Sequence, residues 1–139
     1  MKILTKKTDY AARALVYIAG RDADGFVPAS RIAEIESIPE LFLRGILQIL
    51  IKEKILLAKE GRSGGVRLNL SPRRITLARL IDIFQDGVCV SDCVFRKSSC
   101  AHSLGCPLRP RLAAIEKRLA AEFKGITIAD LLKATEGKP

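Results

Sequence analysis

Four cysteines, Cys89, Cys93, Cys100 and Cys106, fall within one stretch, CVSDCVFRKSSCAHSLGC, and the chain has no others. The thiolate is the nucleophilic and metal-ligating form of cysteine, so such clustering points to metal or redox chemistry. The gaps are three, six and five residues. They do not form the paired C-x2-C units of a zinc ribbon, nor the C-x2-C-x2-C-x3-C-P run of a bacterial ferredoxin. Long gaps suit a loop wrapped around something larger than one ion. Ser91, Asp92, Arg96, Lys97, Ser98 and Ser99 interleave the thiols, which argues against a packed core. An iron–sulfur cluster is the foremost reading. A zinc site, a thiol redox switch and an inert loop are the alternatives. His102, the single histidine, lies inside the stretch, either as a reserve ligand or as a solvated loop residue.

Composition narrows the setting. MKILTKKTDYAAR lacks the apolar core and cleavage site of a signal peptide, and no run approaches the roughly 20 apolar residues that span a bilayer. The expected location is cytoplasmic, where glutathione keeps most thiols reduced. One histidine and no nucleophile–histidine–carboxylate set leave little acid–base capacity, so no enzyme is expected. The net charge is +9. Residues 1–74 carry 14 basic against 8 acidic side chains, and residues 75–139 carry 10 against 7, so the excess lies mainly in the first half. A polyanion is the natural partner, nucleic acid before an anionic membrane; the plain alternative is charge that only keeps the protein soluble. Aromatic residues are 5% and Trp is absent, which disfavours a single-strand binder built on stacking platforms.

The elements that must position these groups follow from periodicity. Residues 8–20 carry Ala11, Ala12, Ala14, Leu15, Val16, Ile18 and Ala19, the density of a buried helix. RDADGF ends it with Gly25 in a turn. A short helix is predicted over 29–36, with Ile32, Ala33 and Ile35 as its apolar contacts. Pro39 disfavours helical backbone at Ile38 and breaks it. Over 40–52, Leu43, Ile46, Leu47 and Leu50 share one helical face, while Arg44, Gln48 and Lys52 share another. Two short helices with a tight break form a helix-turn-helix. The runs 55–58 and 66–70 flank GRSGG and read as a hairpin with a glycine-rich tip. Thr76 is placed to cap a helix over 77–85, closed by Gly87. Beyond the cysteine loop at 88–107, Leu108, Leu112, Ile115, Leu119 and Phe123 recur every three or four residues. Gly125 ends that helix, and Thr127 caps a final one, IADLLKA.

The fold expected is mainly α: a single domain with a winged helix-turn-helix over 1–74, a linking helix over 75–87, and the cysteine loop at 88–107. Residues 108–134 then supply a long dimerisation helix and a short final one. Leu112, Ile115 and Leu119 are the candidate dimer seam, the alternative being that they pack back on their own domain. A recognition helix reads bases with its first turns. Arg44 is the foremost candidate, because a guanidinium bridges O6 and N7 of guanine. Leu41 and Phe42 beside it, Arg31 on the preceding helix, and Lys59 and Arg62 on the wing complete the candidate set. Gly45 inside a helix costs about 1 kcal/mol relative to Ala; it permits close approach either to DNA or to another helix. The partner expected is a double-stranded, palindromic operator bound by a homodimer, with no membrane.

The chain resembles the IscR/NsrR/RirA class of winged-helix transcription regulators, the Rrf-two family. The resemblance rests on LTKKTDYAARALVYIA, RIAEIESIPELFLRGILQIL, EGRSGGVRL and ITLARLIDIFQDG, then on three cysteines before LRPRL, and on ITIADLL. It covers nearly the whole chain. It implies a homodimeric repressor or activator, often holding a 2Fe-2S or 4Fe-4S cluster that reports on iron supply, nitric oxide or oxidative stress. In cluster-binding members three cysteines of this loop are ligands. Cys93, Cys100 and Cys106 match them, with one extra residue in the first gap, and Cys89 lies upstream as a packed residue or a substitute ligand. IscR-like members take a fourth ligand from a histidine three residues after the last cysteine, where this chain has Arg109. NsrR-like members use an aspartate at the start of the first helix of the other subunit, where this chain has Asp9. The resemblance therefore implies a cluster that joins two subunits. The rival expectation is a cluster-free regulator using the loop as a thiol switch or zinc site.

Overall fold

The computed structural model describes residues 3–90 and 105–136. Helix α1 spans Lys6–Gly20 and starts two residues earlier than periodicity predicts, because the Thr5 hydroxyl caps it by accepting from the Thr8 backbone N–H. Ala11, Ala14, Leu15 and Ile18 are buried along its inner face. Small residues there let neighbouring helices approach closely, and α1 becomes the axle of the molecule. A 3-10 turn, Asp22–Asp24, leads to Gly25 at φ 82°. Helices α2 (Ala29–Glu36) and α3 (Glu40–Lys52) follow. Ser37 turns left-handed at φ 54°, and the Ile38 N–H closes back onto the Ala33 carbonyl, so the break is a capped turn whose Ile38 is itself buried.

Leu43, Ile46, Leu47 and Leu50 are buried on one face of α3, as their spacing requires. Ile35 departs from expectation: at 57% exposure it points to solvent. In an eight-residue helix Ile32 and Ala33 already fill the inward face, and Ile35 stands two positions further round.

Strands β1 (Leu56–Lys59) and β2 (Gly65–Leu68) pair antiparallel, with Leu56 opposite Leu68 and Lys59 opposite Gly65. The hairpin has a partner that periodicity does not reveal. Val27 exchanges both backbone hydrogen bonds with Val66, at 2.8 and 2.9 Å. A Cβ on Gly65 would collide with the Val27 carbonyl, and Gly65 sits at φ 147°. That glycine is therefore required by backbone approach and not only by the turn.

Helix α4 (Leu77–Gln85) is capped by the Thr76 hydroxyl, which accepts from the Arg79 N–H. It closes on Asp86, left-handed at φ 56°, one residue before Gly87. Helix α5 (Leu108–Lys124) leans on α4, and none of its residues is buried. Helix α6 (Ile128–Glu136) returns to pack on α1 and sets Ile128 into the core. Two bonds fasten this return, Leu77 N–H to the Ile126 carbonyl and Ile128 N–H to the Ile75 carbonyl, each at 2.9 Å. No helix among the described residues is long and apolar enough to cross a membrane.

Candidate nucleic-acid interface and cysteine segment

The outer face of α3, the first turn of α2 and the hairpin enclose an open groove of about 480 Å³, with Ser30, Arg44, Gln48, Lys59 and Glu60 among its lining residues. Arg44 reaches it from α3, and its Nη2 lies 2.8 Å from Glu40 Oε1, one turn away on the same surface. An exposed i,i+4 pair of this kind contributes about 0.3–0.5 kcal/mol. Exchanging it for another acceptor therefore costs little. Leu41 is 86% exposed beside it, an uncovered apolar group on a polar surface. A Cβ on Gly45 would meet nothing within 4 Å. Close helix packing within the chain therefore does not explain that glycine.

Three of the other candidates on this face have intramolecular partners. Phe42 meets the edge of Tyr10 at a ring separation of 5.7 Å and an angle of 85°, so it anchors α3 to α1 as well as facing outward. Arg31 Nε donates to the Tyr17 hydroxyl at 3.3 Å, which ties α2 to α1. Lys59 Nζ stands 5.8 Å from the Phe26 ring centroid. Arg62 is exposed at the wing tip. Phe26 was not among the sequence candidates, since its meeting with Lys59 and Arg67 depends on the Val27–Val66 pairing.

Asp9 lies in the first turn of α1, where a carboxylate favourably meets the helix dipole. It is 54% exposed, and its Oδ2 lies 3.7 Å from Arg13 Nη1. Arg13 also pairs with Glu36 at 3.4 Å, donates to the Glu36 carbonyl, and covers the Tyr10 ring. The first turn of α1 is thus linked through one arginine to the end of α2.

Cys89, half-buried just after α4, and Cys106, half-buried just before α5, mark the two ends of the cysteine segment. The Val90 N–H donates to Glu116 Oε1 at 3.2 Å and ties the first end to α5. Cys93, Cys100 and His102 lie outside the described residues. Among the described residues no three histidine, cysteine or carboxylate groups gather into a metal site. On α5, Leu112 and Leu119 are half-buried and Ile115 is 45% exposed, so the stripe presents apolar surface that the described residues leave partly uncovered.

Comparison with known proteins matches this architecture. "Protein aau3" of Rhizobium meliloti is 36% identical over 137 residues, covering 94% of this chain and 85% of the relative. The "HTH-type transcriptional regulator NsrR" of Oceanobacillus iheyensis is 30% identical, covering 96% and 91%. Among solved structures, CymR, the global cysteine regulator of B. subtilis, superposes with a TM-score of 0.80 at 17% identity, covering 96% of this chain and 98% of that one. T. potens IscR superposes with a TM-score of 0.76 at 22% identity, covering 97% and 88%. These likenesses establish the winged-helix fold. Residues 4–134 match the family model described as "Rrf2: Iron-dependent Transcriptional regulator". The chain is a DNA-binding transcription regulator and not an enzyme, and it belongs to the Rrf2 family.

Proposed function

We propose that the protein is a homodimeric repressor or activator that binds a palindromic operator and whose affinity is set by an iron–sulfur cluster in the cysteine segment. The observation that carries the cluster reading is the donor set. The sequence supplies three thiols, Cys93, Cys100 and Cys106, within one segment, and the first turn of α1 supplies an exposed carboxylate, Asp9, whose ion pair with Arg13 is 3.7 Å long. Thiolates are the usual anchors of iron–sulfur units, so the residue types fit. The bound cluster would supply a group that iron supply, oxidants or nitric oxide alter. The chain's own residues do the rest.

The cysteines hold the segment between α4 and α5, and Asp9 of a second copy closes the site. Leu112, Ile115 and Leu119 of α5 form the seam between copies. Arg44 reads bases, with Leu41 and Phe42 beside it. Arg31, Lys59 and Arg62 contact the backbone. Half-site spacing is a geometric demand, so a change in how the copies are held alters operator affinity.

Protein purified without oxygen decides between the readings. The cluster reading expects a coloured protein with iron and acid-labile sulfide, and a salt-sensitive shift of duplex DNA that changes when the colour is lost in air. A colourless protein that binds DNA in a thiol- or zinc-dependent way would establish the cluster-free alternative. Arg109 stands where IscR-like members have a histidine ligand, which leaves the fourth position to Asp9 of a second copy.

A further inference from the structure

One ring on the outer face of the wing gathers two cations. The Val27–Val66 pairing lays residues 26–27 along β2, and Phe26 is half-buried beside the hairpin. Partners across a ladder share a face, and so do residues two apart on one strand. Leu57 opposes Arg67 and Lys59 opposes Gly65, so Lys59 and Arg67 stand diagonally on the same face. Their charged groups lie 5.8 and 5.7 Å from the Phe26 ring centroid. Neighbouring like charges on a sheet repel. The negative face of an aromatic ring offsets that repulsion and limits where each cation can go. Arg67 Nη2 is also 3.7 Å from Asp22 Oδ1, with both side chains well exposed. Lys59 lines the groove against α3 as well, so this cationic pair borders the surface that meets nucleic acid.

We propose that Phe26 is a positioning residue that holds Lys59 and Arg67 together as a two-cation contact for the DNA backbone, and that Asp22 is an internal competitor which a phosphate displaces from Arg67. The proposal rests on the DNA-binding role of the family. It assigns Phe26, Asp22 and Arg67 parts that base reading by α3 does not require.

Backbone contacts are independent of sequence, so a random-sequence DNA duplex is a sufficient probe, titrated by fluorescence anisotropy across a salt series. Lys59→Ala and Arg67→Ala should each flatten the slope of log affinity against log salt by about 0.9. Phe26→Leu keeps the net charge, yet should weaken binding about two- to fivefold per cation released, and Phe26→Tyr should restore it. In a Lys59→Ala/Arg67→Ala background Phe26→Leu should have no further effect. Asp22→Asn, a surface change that does not threaten folding, should tighten binding about two- to fivefold, and the gain should largely vanish in Arg67→Ala. A Phe26→Leu loss that persists without the two cations would overturn the positioning role. An Asp22→Asn gain of equal size with and without Arg67 would overturn the competitor role, since it would report net charge alone. Folded wild-type protein that ignores the duplex even at low salt would overturn the DNA-binding premise itself, a failure separate from either of these.

Discussion

The buried hydroxyl of Thr8 donates to the side-chain oxygen of Gln85 at 2.8 Å, joining α1 to the last residue of α4 across 77 positions of sequence. The same amide oxygen accepts the Thr5 N–H at 3.1 Å, and its nitrogen donates to the carbonyls of Ile3 at 2.7 Å and Gly87 at 3.3 Å. One glutamine therefore fastens the start of α1, which carries Asp9, to the backbone that leads into Cys89. Gln85→Leu removes all four bonds and takes the Gln85 acceptor from the buried Thr8 hydroxyl. It should cost about 1–3 kcal/mol, read from urea unfolding, while Gln85→Glu keeps the acceptor for Thr8 and should cost less.

Arg44 and Arg62 are expected to divide base reading from backbone affinity. Arg44→Ala should lose about 1–3 kcal/mol on operator DNA and relax base preference. Arg62→Ala should weaken all duplexes more evenly and flatten the salt slope by about one unit. Equal losses from both variants on operator and random DNA would refute the division.

The α5 stripe is expected to hold two copies together. Burying aliphatic side chains such as Leu112, Ile115 and Leu119 contributes about 1.5–3 kcal/mol each. Ile115→Asp sets an unpaired charge in the middle of that seam and should yield monomers by sedimentation at micromolar concentration. A variant that stays dimeric would place the interface elsewhere.

Ligand variants separate the candidate donors. Cys93→Ala, Cys100→Ala and Cys106→Ala should each abolish a stable cluster, whereas Cys89→Ala should leave it in place. Asp9→Ala should still assemble a cluster but lose it faster in air, followed by its visible absorption. If His102→Ala is the labile variant and Asp9→Ala matches wild type, the segment closes its own site without the second copy.

The start of α6 carries a pH dependence of known sign. The Thr127 backbone N–H, at 2.9 Å, and the Thr127 hydroxyl hold the Asp130 carboxyl below its ordinary range. A depressed carboxyl contributes stability that is present above its unfolded value, about 3.9, and is lost as pH falls through the lower folded value. Asp130→Asn should therefore destabilise the protein near neutrality, with the difference from wild type shrinking in acid. Urea unfolding at neutral pH and below pH 4 checks both statements.

The helices, the caps of α4 and α6 and the hairpin were legible because they are written in local terms. Thr76 and Thr127 each cap a helix from the residue before it, and Leu43, Ile46, Leu47 and Leu50 mark their face by spacing alone. The clustering of the thiols was likewise plain from residue type. Tertiary structure decided which surfaces meet. Nothing in periodicity pairs Val27 with Val66 or seats Phe42 on Tyr10. A helical pattern names the apolar face of an element but not the neighbour that covers it, and a hydrogen bond such as Thr8 to Gln85 depends on how distant segments dock. Gly65 shows the two levels in one residue: its type announces a turn, and the Val27 backbone pressed against it is the reason no side chain fits.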